Sequence, residues 1–507
     1  MKAAEKIALK DRQIGLLEAE VQQLKEELAW IKKQLFGQKR ERFEGENPEQ
    51  LALDLGGQPQ PAPVEPVLEE AISYTRKKSR KHPGRHPLPA HLERVEMIIE
   101  PDEDITGLVC IGEEITEVLA KIPSRNYVIR YRRRKYLRKD GQGMLIGRLP
   151  SRAIEKGIAH ESVLADMIVS KYVDHLPLYR QAQIFRREGI DIPSSTFSDW
   201  IESCASLLRT LYEALVKVVT TEAQYLQADE SPTQVLDAPG KTSQKKAKGD
   251  KTSGGKSHRG YMWVYLDVDA NLVLFDYQKG RGREGPTELL KSFKGYLQTD
   301  GYAVYEQYDS HPDITLLGCM AHARRYFVKA QSADPKRAGY FLDQIQRLYD
   351  LERQLKESQA GAEEIFLARQ TQAKPILQHL ASWMTEQYPL VLPKSAIGKA
   401  IHYAHTRWEK ICRYIQHGHF RIDNNLIENR IRPLALGRKN WLFAGSHHAA
   451  QNTAIFYSIL GSAILNGHNP YQYLFTVLSK LPEYPINRIH ELLPHQLTFE
   501  KPQGEGT

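Results

Sequence analysis

Paired cysteines are missing from this chain. Its four, Cys110, Cys204, Cys319 and Cys412, stand singly, with no Cys-x-x-Cys among them. Such scatter supports neither a disulfide framework nor a four-cysteine zinc site, and a reducing cytoplasm is the simplest compartment. Also missing is any apolar run near the roughly 18–20 residues that cross a bilayer, so no membrane partner is expected. The N-terminus alternates charged and apolar residues, unlike a signal peptide. Acid is scarcer than base: 62 Asp and Glu against 70 Lys and Arg leave a net charge of +8. That excess favours polyanionic partners, although basicity alone does not establish nucleic-acid binding. The hydrophobic and charged fractions, 41% and 26%, are ordinary. A length of 507 residues accommodates three or four domains.

What is present divides the chain into an α+β multidomain pattern. In residues 1–43, Ile7, Ile14, Val21, Leu28 and Leu35 occupy one heptad position and Leu17, Leu24 and Ile31 the other. This spacing predicts a self-associating coiled coil, in which Glu20 with Lys25 and Glu27 with Lys32 pair across a parallel dimer. An amphipathic helix packed on its own chain is the alternative. Residues 44–93 are rich in Pro, Glu, Gln and Gly and end in a basic cluster from Arg76 to Arg85, a disordered linker that either grips phosphates or is a solvated tether. Residues 94–150 are β-rich. Within them Tyr127 to Tyr136 alternates branched or aromatic residues with cations, so that Arg133 and Lys135 either face a DNA backbone or guard an edge strand.

Residues 151–220 carry a helix-turn-helix pattern. Leu178 to Phe185 forms one amphipathic helix, Gly189 and Pro193 punctuate a turn, and Ser194 or Ser195 caps a second helix over Thr196 to Ile201. Arg180, Ser195 and Thr196 are its candidate DNA contacts, although such helix pairs also occur in proteins that never touch DNA. Residues 221–335 alternate strands and helices in the order β-β-β-α-β-α-β, fitting a mixed sheet covered by helices. The strands are Tyr225–Asp229, a hairpin of Gly260–Val268 with Asn271–Tyr277, Tyr296–Asp300 and Ile314–Cys319. A helix over Pro286–Phe293 starts on its proline. Residues 241–259, rich in Lys, Gly and Ser, read as a mobile basic loop. Residues 336–417 read as an all-α insertion, 418–448 as a return to the core, and 449–507 as a helical region with a polar tail.

Three acids stand in informative settings. Asp229 and Asp300 end near-copies of one pentapeptide, Tyr225-Leu226-Gln227-Ala228-Asp229 and Tyr296-Leu297-Gln298-Thr299-Asp300. Strand alternation puts Tyr, Gln and Asp of each copy on one face, and neighbouring strands bring both aspartates to one end of the sheet. Glu428 lies on a helix capped by Asp423 and stopped by Pro433, with Asn424 a turn before it and Arg432 a turn after. Three carboxylates of this kind suit two Mg²⁺ or Mn²⁺ ions about 3.5–4 Å apart, acting on the attacking and leaving oxygens of a phosphodiester. The alternatives are an Asp300 that caps a turn before Gly301, a plain Glu428–Arg432 ion pair, or Asp423 as the third ligand. Cys319 and His322 are too few for zinc and lack a third group for nucleophilic catalysis. Structural support, or substrate contact from His322 and Arg324, fits them better. Arg438, Lys439 and Trp441 combine cations with a flat ring, for phosphate gripping and base stacking or for packing with solvated charges.

Taken in order, the motifs resemble a known family. They are Asp229-Glu230-Ser231-Pro232, Asp300-Gly301-Tyr302, Cys319-Met320-Ala321-His322-Ala323-Arg324-Arg325, Asp423-Asn424-Asn425-Leu426-Ile427-Glu428-Asn429 and Arg438-Lys439-Asn440-Trp441-Leu442-Phe443. Together with Leu35-Phe36-Gly37, Gly112 to Glu117, Leu465-Asn466-Gly467 and Pro470-Tyr471, this order resembles the transposases of the bacterial insertion sequence 66 family over almost the whole chain. The resemblance implies a ribonuclease-H-like core whose Asp-Asp-Glu triad is Asp229, Asp300 and Glu428. It also implies an N-terminal oligomerising coiled coil, a region that recognises the element's terminal repeats, accessory element-encoded proteins and transposition of the element's own DNA into a target. Relatives of this kind often carry a cysteine cluster for zinc ahead of the helix-turn-helix. Here only Cys110 remains and Tyr136 to Asp140 holds no cysteine, so no zinc site is expected.

Overall fold

The computed structural model describes residues 126–137, 144–146, 148–236 and 257–499. The heptads, the Pro-rich linker, Cys110, most of the Lys241–Arg259 loop and the last residues of the tail lie outside them. Described first is a short antiparallel pair, β1 (Lys135–Leu137) with β2 (Met144–Ile146). The longer strand expected over Tyr127–Tyr136 is not formed: 126–134 has no regular structure, and Tyr127 and Val128 are exposed. Among the described residues this pair stands as a two-stranded sheet with no third strand.

Next come α1 (Glu161–Tyr172), α2 (Leu178–Arg187) and α3 (Ser194–Thr221). The helix expected over Thr196–Ile201 is the start of a 28-residue one. Its stripe of Phe197, Trp200, Ile201, Cys204, Leu208, Leu211, Leu215 and Val219 stays buried to the end. The Tyr212 hydroxyl donates to Phe275 O at 2.8 Å, tying the helix to the sheet. Ser194 and Ser195 do not cap it; Pro193 holds the N-cap position and makes no side-chain cap bond.

The sheet has five strands in the order β5-β4-β3-β6-β7. They are β3 (Tyr225–Leu236), β4 (Ser257–Asp267), β5 (Leu272–Gln278), β6 (Gly295–Gln298) and β7 (Ile314–Leu317). The first three are antiparallel, and β6 and β7 add in parallel, giving a mixed α/β sheet. The β4–β5 turn is fixed by Asp267, whose carboxylate accepts from Asp269 N and Ala270 N, both at 3.1 Å. A short helix, α4 (Glu284–Leu289), starts two residues before the expected proline. Pro286 thus sits in the first turn, where a missing N–H costs nothing. A 3-10 segment, Ala303–Tyr308, stands between β6 and β7, where an α-helix was expected.

After β7 come α5 (Met320–Ala330), α6 (Pro335–Glu357), α7 (Ala362–Ala368), α8 (Lys374–Gln387) and α9 (Ala396–Cys412). Phe327, Phe341, Ile345, Leu348, Leu380, Ile401 and Trp408 form their shared core, which runs on to Tyr225 and Leu317 of the sheet. The chain then returns as α10 (Asn425–Trp441), α11 (His447–Leu465) and α12 (Pro470–Lys480). Helix α11 covers the edge of β5: Val273 N donates to Ser462 Oγ at 2.9 Å and Phe275 N to Ser458 Oγ at 2.8 Å. Two buried serines one turn apart thus satisfy the edge amides that a sixth strand would otherwise take. Among the described residues no helix is long and apolar enough to cross a membrane.

Candidate active site

The two pentapeptides meet in register. Tyr225, Leu226 and Gln227 pair in parallel with Tyr296, Leu297 and Gln298, so Asp229 and Asp300 both follow two residues after the last pair. Their shared glutamines build a buried polar clamp. Gln227 Nε2 donates to Gln298 Oε1 at 2.9 Å and to Asp423 O at 3.0 Å, while Gln227 Oε1 accepts from Ile427 N at 3.2 Å. Gln298 Nε2 donates to Gly318 O and Arg421 O, and the Tyr225 hydroxyl donates to Gln298 Oε1. Both glutamines are fully buried. The clamp therefore satisfies an amide in the first turn of α10 and fixes that helix against the strands that carry the aspartates.

Asp229 was expected at a strand end, but β3 continues to Leu236. Its pairing with β4 runs on to Leu236 and Ser257, and Val235 forms a further bridge with Ala444. Asp229 is thus held on a rigid central strand, and its Oδ1 accepts from Glu230 N at 2.7 Å. Asp300 lies beyond the end of β6, in a turn. Its Oδ1 accepts from Tyr302 N at 2.9 Å and its carbonyl from the Tyr403 hydroxyl at 2.6 Å. The turn needs Gly301, which has φ +86 and whose absent Cβ would meet Arg407 Nε at 2.8 Å. The turn-capping alternative is therefore present, but it engages only one of the two carboxylate oxygens.

Asn424, not Asp423, is the N-cap residue of α10, and the helix runs through Pro433 to Trp441. Pro433 removes one intrahelical bond, and packing compensates: Leu434 and Gly437 are buried, and the Tyr457 hydroxyl reaches Pro433 O at 3.4 Å. Asp423 is buried and engaged elsewhere, accepting from Asn425 N at 3.1 Å and from the Tyr349 hydroxyl at 2.7 Å. Glu428 is half-buried, and its ion-pair partner is not Arg432. Arg325 Nη2 donates to both Glu428 oxygens at 2.7 Å, and Arg325 Nη1 bonds to His322 Nε2 at 2.9 Å. Arg324, expected beside His322 as a substrate contact, is exposed. Helical spacing accounts for this: residues three apart share a face and residues two apart do not.

Burial first, then the charges of Asp300 and Glu230 and, more weakly, Glu428, push the Asp229 carboxyl up to about 8. Burial also raises Glu230, against the pull of Arg281, whose Nε donates to it at 2.8 Å. His322 is lowered by burial and by Arg325, so its ring is held neutral. Burial pushes the Cys319 thiol up to about 12; its Sγ accepts from Asn424 N at 3.4 Å and joins α5 to α10. A thiol so placed is a packing group rather than a nucleophile.

The donor chemistry suits a hard divalent cation, since Asp229, Asp300 and Glu428 offer carboxylate oxygens as ligands. As the side chains stand, no group of three or more His, Cys, Asp or Glu is drawn to metal-holding distance among the described residues. Glu428 is turned into the fork of Arg325.

Of the expected DNA contacts, Arg180 is exposed beside Tyr179, Ser195 is exposed and Thr196 half-buried in the first turn of α3. Arg133 precedes β1 and Lys135 opens it. Lys439 is exposed. Arg438 instead clamps β3, donating to Ser231 Oγ at 2.9 Å and to Pro232 O. Trp441 packs edge-on against Tyr172 and beside His175. Trp441 is thus packed, as in the alternative reading, whereas Arg438 is hydrogen-bonded to β3 rather than solvated. Sequence reasoning missed the role of Arg325, the glutamine clamp and Tyr403.

Comparison with known proteins agrees over most of the chain. The model described as "Transposase IS66 family" matches residues 156–452, more than half of the sequence. "Transposase C of IS166 homeodomain" matches 23–97 and "IS66 C-terminal element" matches 458–495. Among relatives, "Uncharacterized protein y4qI" of Sinorhizobium fredii is 32% identical over 85% of this chain and 81% of its own length. "Uncharacterized protein y4hP" of the same organism is 29% identical over 92% and 86%. A chain in "Crystal structure of the Mos1 Strand Transfer Complex" aligns over 52% of this chain and 79% of its own at 11% identity, with a TM-score of 0.13, too low to carry residue correspondence. The family model spanning β3 to α10 decides the matter: the chain belongs to the IS66 transposase family.

Proposed function

We propose that this transposase-family chain cuts DNA at the ends of its element and joins those ends to target DNA, using Asp229, Asp300 and Glu428 on a ribonuclease-H-like core. The observation that supports the reading is the register that sets Asp229 on β3 and Asp300 just past β6 two residues after the same paired Gln227 and Gln298, with the glutamine clamp holding the helix of Glu428 against those strands. Divalent ions held there, Mg²⁺ or Mn²⁺, supply Lewis acidity to the attacking and leaving oxygens.

In the first step a water oxygen attacks the phosphorus, the P–O3′ bond breaks, and a free 3′-hydroxyl and a 5′-phosphate result. In the second, that 3′-hydroxyl attacks a target phosphodiester, loses its proton, and displaces a target 3′-oxygen, which takes up a proton. The protein's part is positional. Strand β3 and the Gly301 turn fix the two aspartates, the glutamine clamp fixes α10, and Glu428 turns to complete the set. DNA is the partner in this reading.

The test is incubation of purified protein with end-bearing and target DNA, with and without Mg²⁺. Wild type yields joined product only with the metal, whereas Asp229→Asn binds ends but neither cuts nor joins. Strand transfer undiminished in Asp229→Asn overturns the assignment. Cutting without joining by wild type assigns a nuclease instead.

A further inference from the structure

Glu428 and the two aspartates are the proposed ligand set, yet the Glu428 carboxylate is held by a cation from another helix. Arg325 gives it two hydrogen bonds of 2.7 Å from a single nitrogen. Its other terminal nitrogen is fixed separately by His322 Nε2 at 2.9 Å. That bond places the imidazole proton on Nδ1, which is buried without a hydrogen-bond partner among the described residues. Arg325 thus keeps an anchor when Glu428 leaves, and about half of its side chain is open to solvent. A guanidinium that binds a carboxylate edge binds a phosphate edge equally well.

From this geometry we infer that Arg325 is a positioning residue that stores Glu428 away from the aspartates until DNA arrives, and that a DNA phosphate takes the guanidinium as Glu428 turns to the metal site. The inference rests on the proposed function and adds its order of assembly: DNA binding and metal binding are coupled through one arginine. Coupling is reciprocal, so DNA must tighten metal binding by the factor that metal tightens DNA. If Glu428 is free about a tenth of the time, the DNA-free protein binds metal about tenfold more weakly than its intrinsic affinity.

The experiment measures Mn²⁺ affinity by electron paramagnetic resonance on the full chain, alone and with a short single-stranded oligodeoxynucleotide. Wild type is expected to gain about tenfold on adding DNA. Arg325→Gln is expected to bind Mn²⁺ about tenfold more tightly without DNA and to gain little on its addition. Arg325→Lys, which keeps the charge but not the fork, falls between them. The gain in Arg325→Gln must vanish when Glu428→Gln is added. A gain that persists in the double variant is a long-range charge effect and overturns the inference, as does DNA-independent affinity in wild type. Circular dichroism confirms that each variant is folded. Asp229→Asn separates the two failures: Mn²⁺ binding that depends on Asp229 but not on Arg325 sinks only this inference, while binding indifferent to Asp229 sinks the metal reading as well.

Discussion

Replacing Gln227 by Leu tests how the repeated pentapeptide places the third acid. The side chain is fully buried, accepts from Ile427 N at 3.2 Å and donates to Asp423 O at 3.0 Å. Leucine fills a similar volume but leaves both backbone groups buried and unpaired. At about 1–3 kcal/mol for each orphaned group, the loss is about 2–6 kcal/mol. It falls on the first turn of α10, because Ile427 N is one of the amides that the helix cannot satisfy itself. The assay is urea denaturation together with hydrogen exchange across residues 420–430. The variant should lose stability in that range, and amides of the first turn of α10 should exchange faster than those of α11. Gln298→Leu should act similarly, and the double variant should cost less than the sum, since the two side chains bond to each other at 2.9 Å. A loss below about 0.5 kcal/mol with unchanged exchange would mean that α10 is placed by apolar packing alone, and the clamp would have no role.

Two further outcomes follow from the same geometry. The Asp229 carboxyl stands near 8 in the folded chain against 3.8 for the free group. Between those values the unfolded chain ionises first, so the stabilising contribution is full below about pH 4 and is lost as pH rises towards 8, at up to about 1.4 kcal/mol per unit. Without divalent ions, wild type should therefore lose stability from pH 5 to 8 faster than Asp229→Asn, and equal slopes in thermal melts would remove the shift. Arg438→Ala should lower stability by about 1–3 kcal/mol, because the guanidinium holds Ser231 and Pro232, while end-DNA affinity and its salt dependence stay nearly unchanged. A shallower salt slope instead would restore Arg438 as a phosphate contact.

Much of the sheet is legible in the sequence, because alternation and turn chemistry are local signals. The hairpin around Asp269 follows from Asp267 bonding its own turn, and the two Tyr-Leu-Gln repeats mark strands that do pair. Strand ends were less legible. Asp229 reads as terminal because it closes the repeated pentapeptide, yet pairing with β4 carries the strand onward to Leu236. Proline misled in the same way at Pro433, where tertiary packing overrides a local break. In the site, the acids stand out by residue type, whereas their partners do not. Arg325 is one of two adjacent arginines, and only helical phase relative to His322 singles it out. Gln227 and Gln298 were visible as a repeat, but a clamp that reaches nearly 200 residues to Asp423 and Ile427 leaves no local trace.

The most direct measurement is anomalous diffraction from crystals of the protein bound to DNA and soaked in Mn²⁺. A peak should lie about 2.1 Å from carboxylate oxygens of both Asp229 and Asp300, with Glu428 turned away from Arg325 towards it. Manganese bound elsewhere, with those three carboxylates bare, would leave the proposed chemistry without its site.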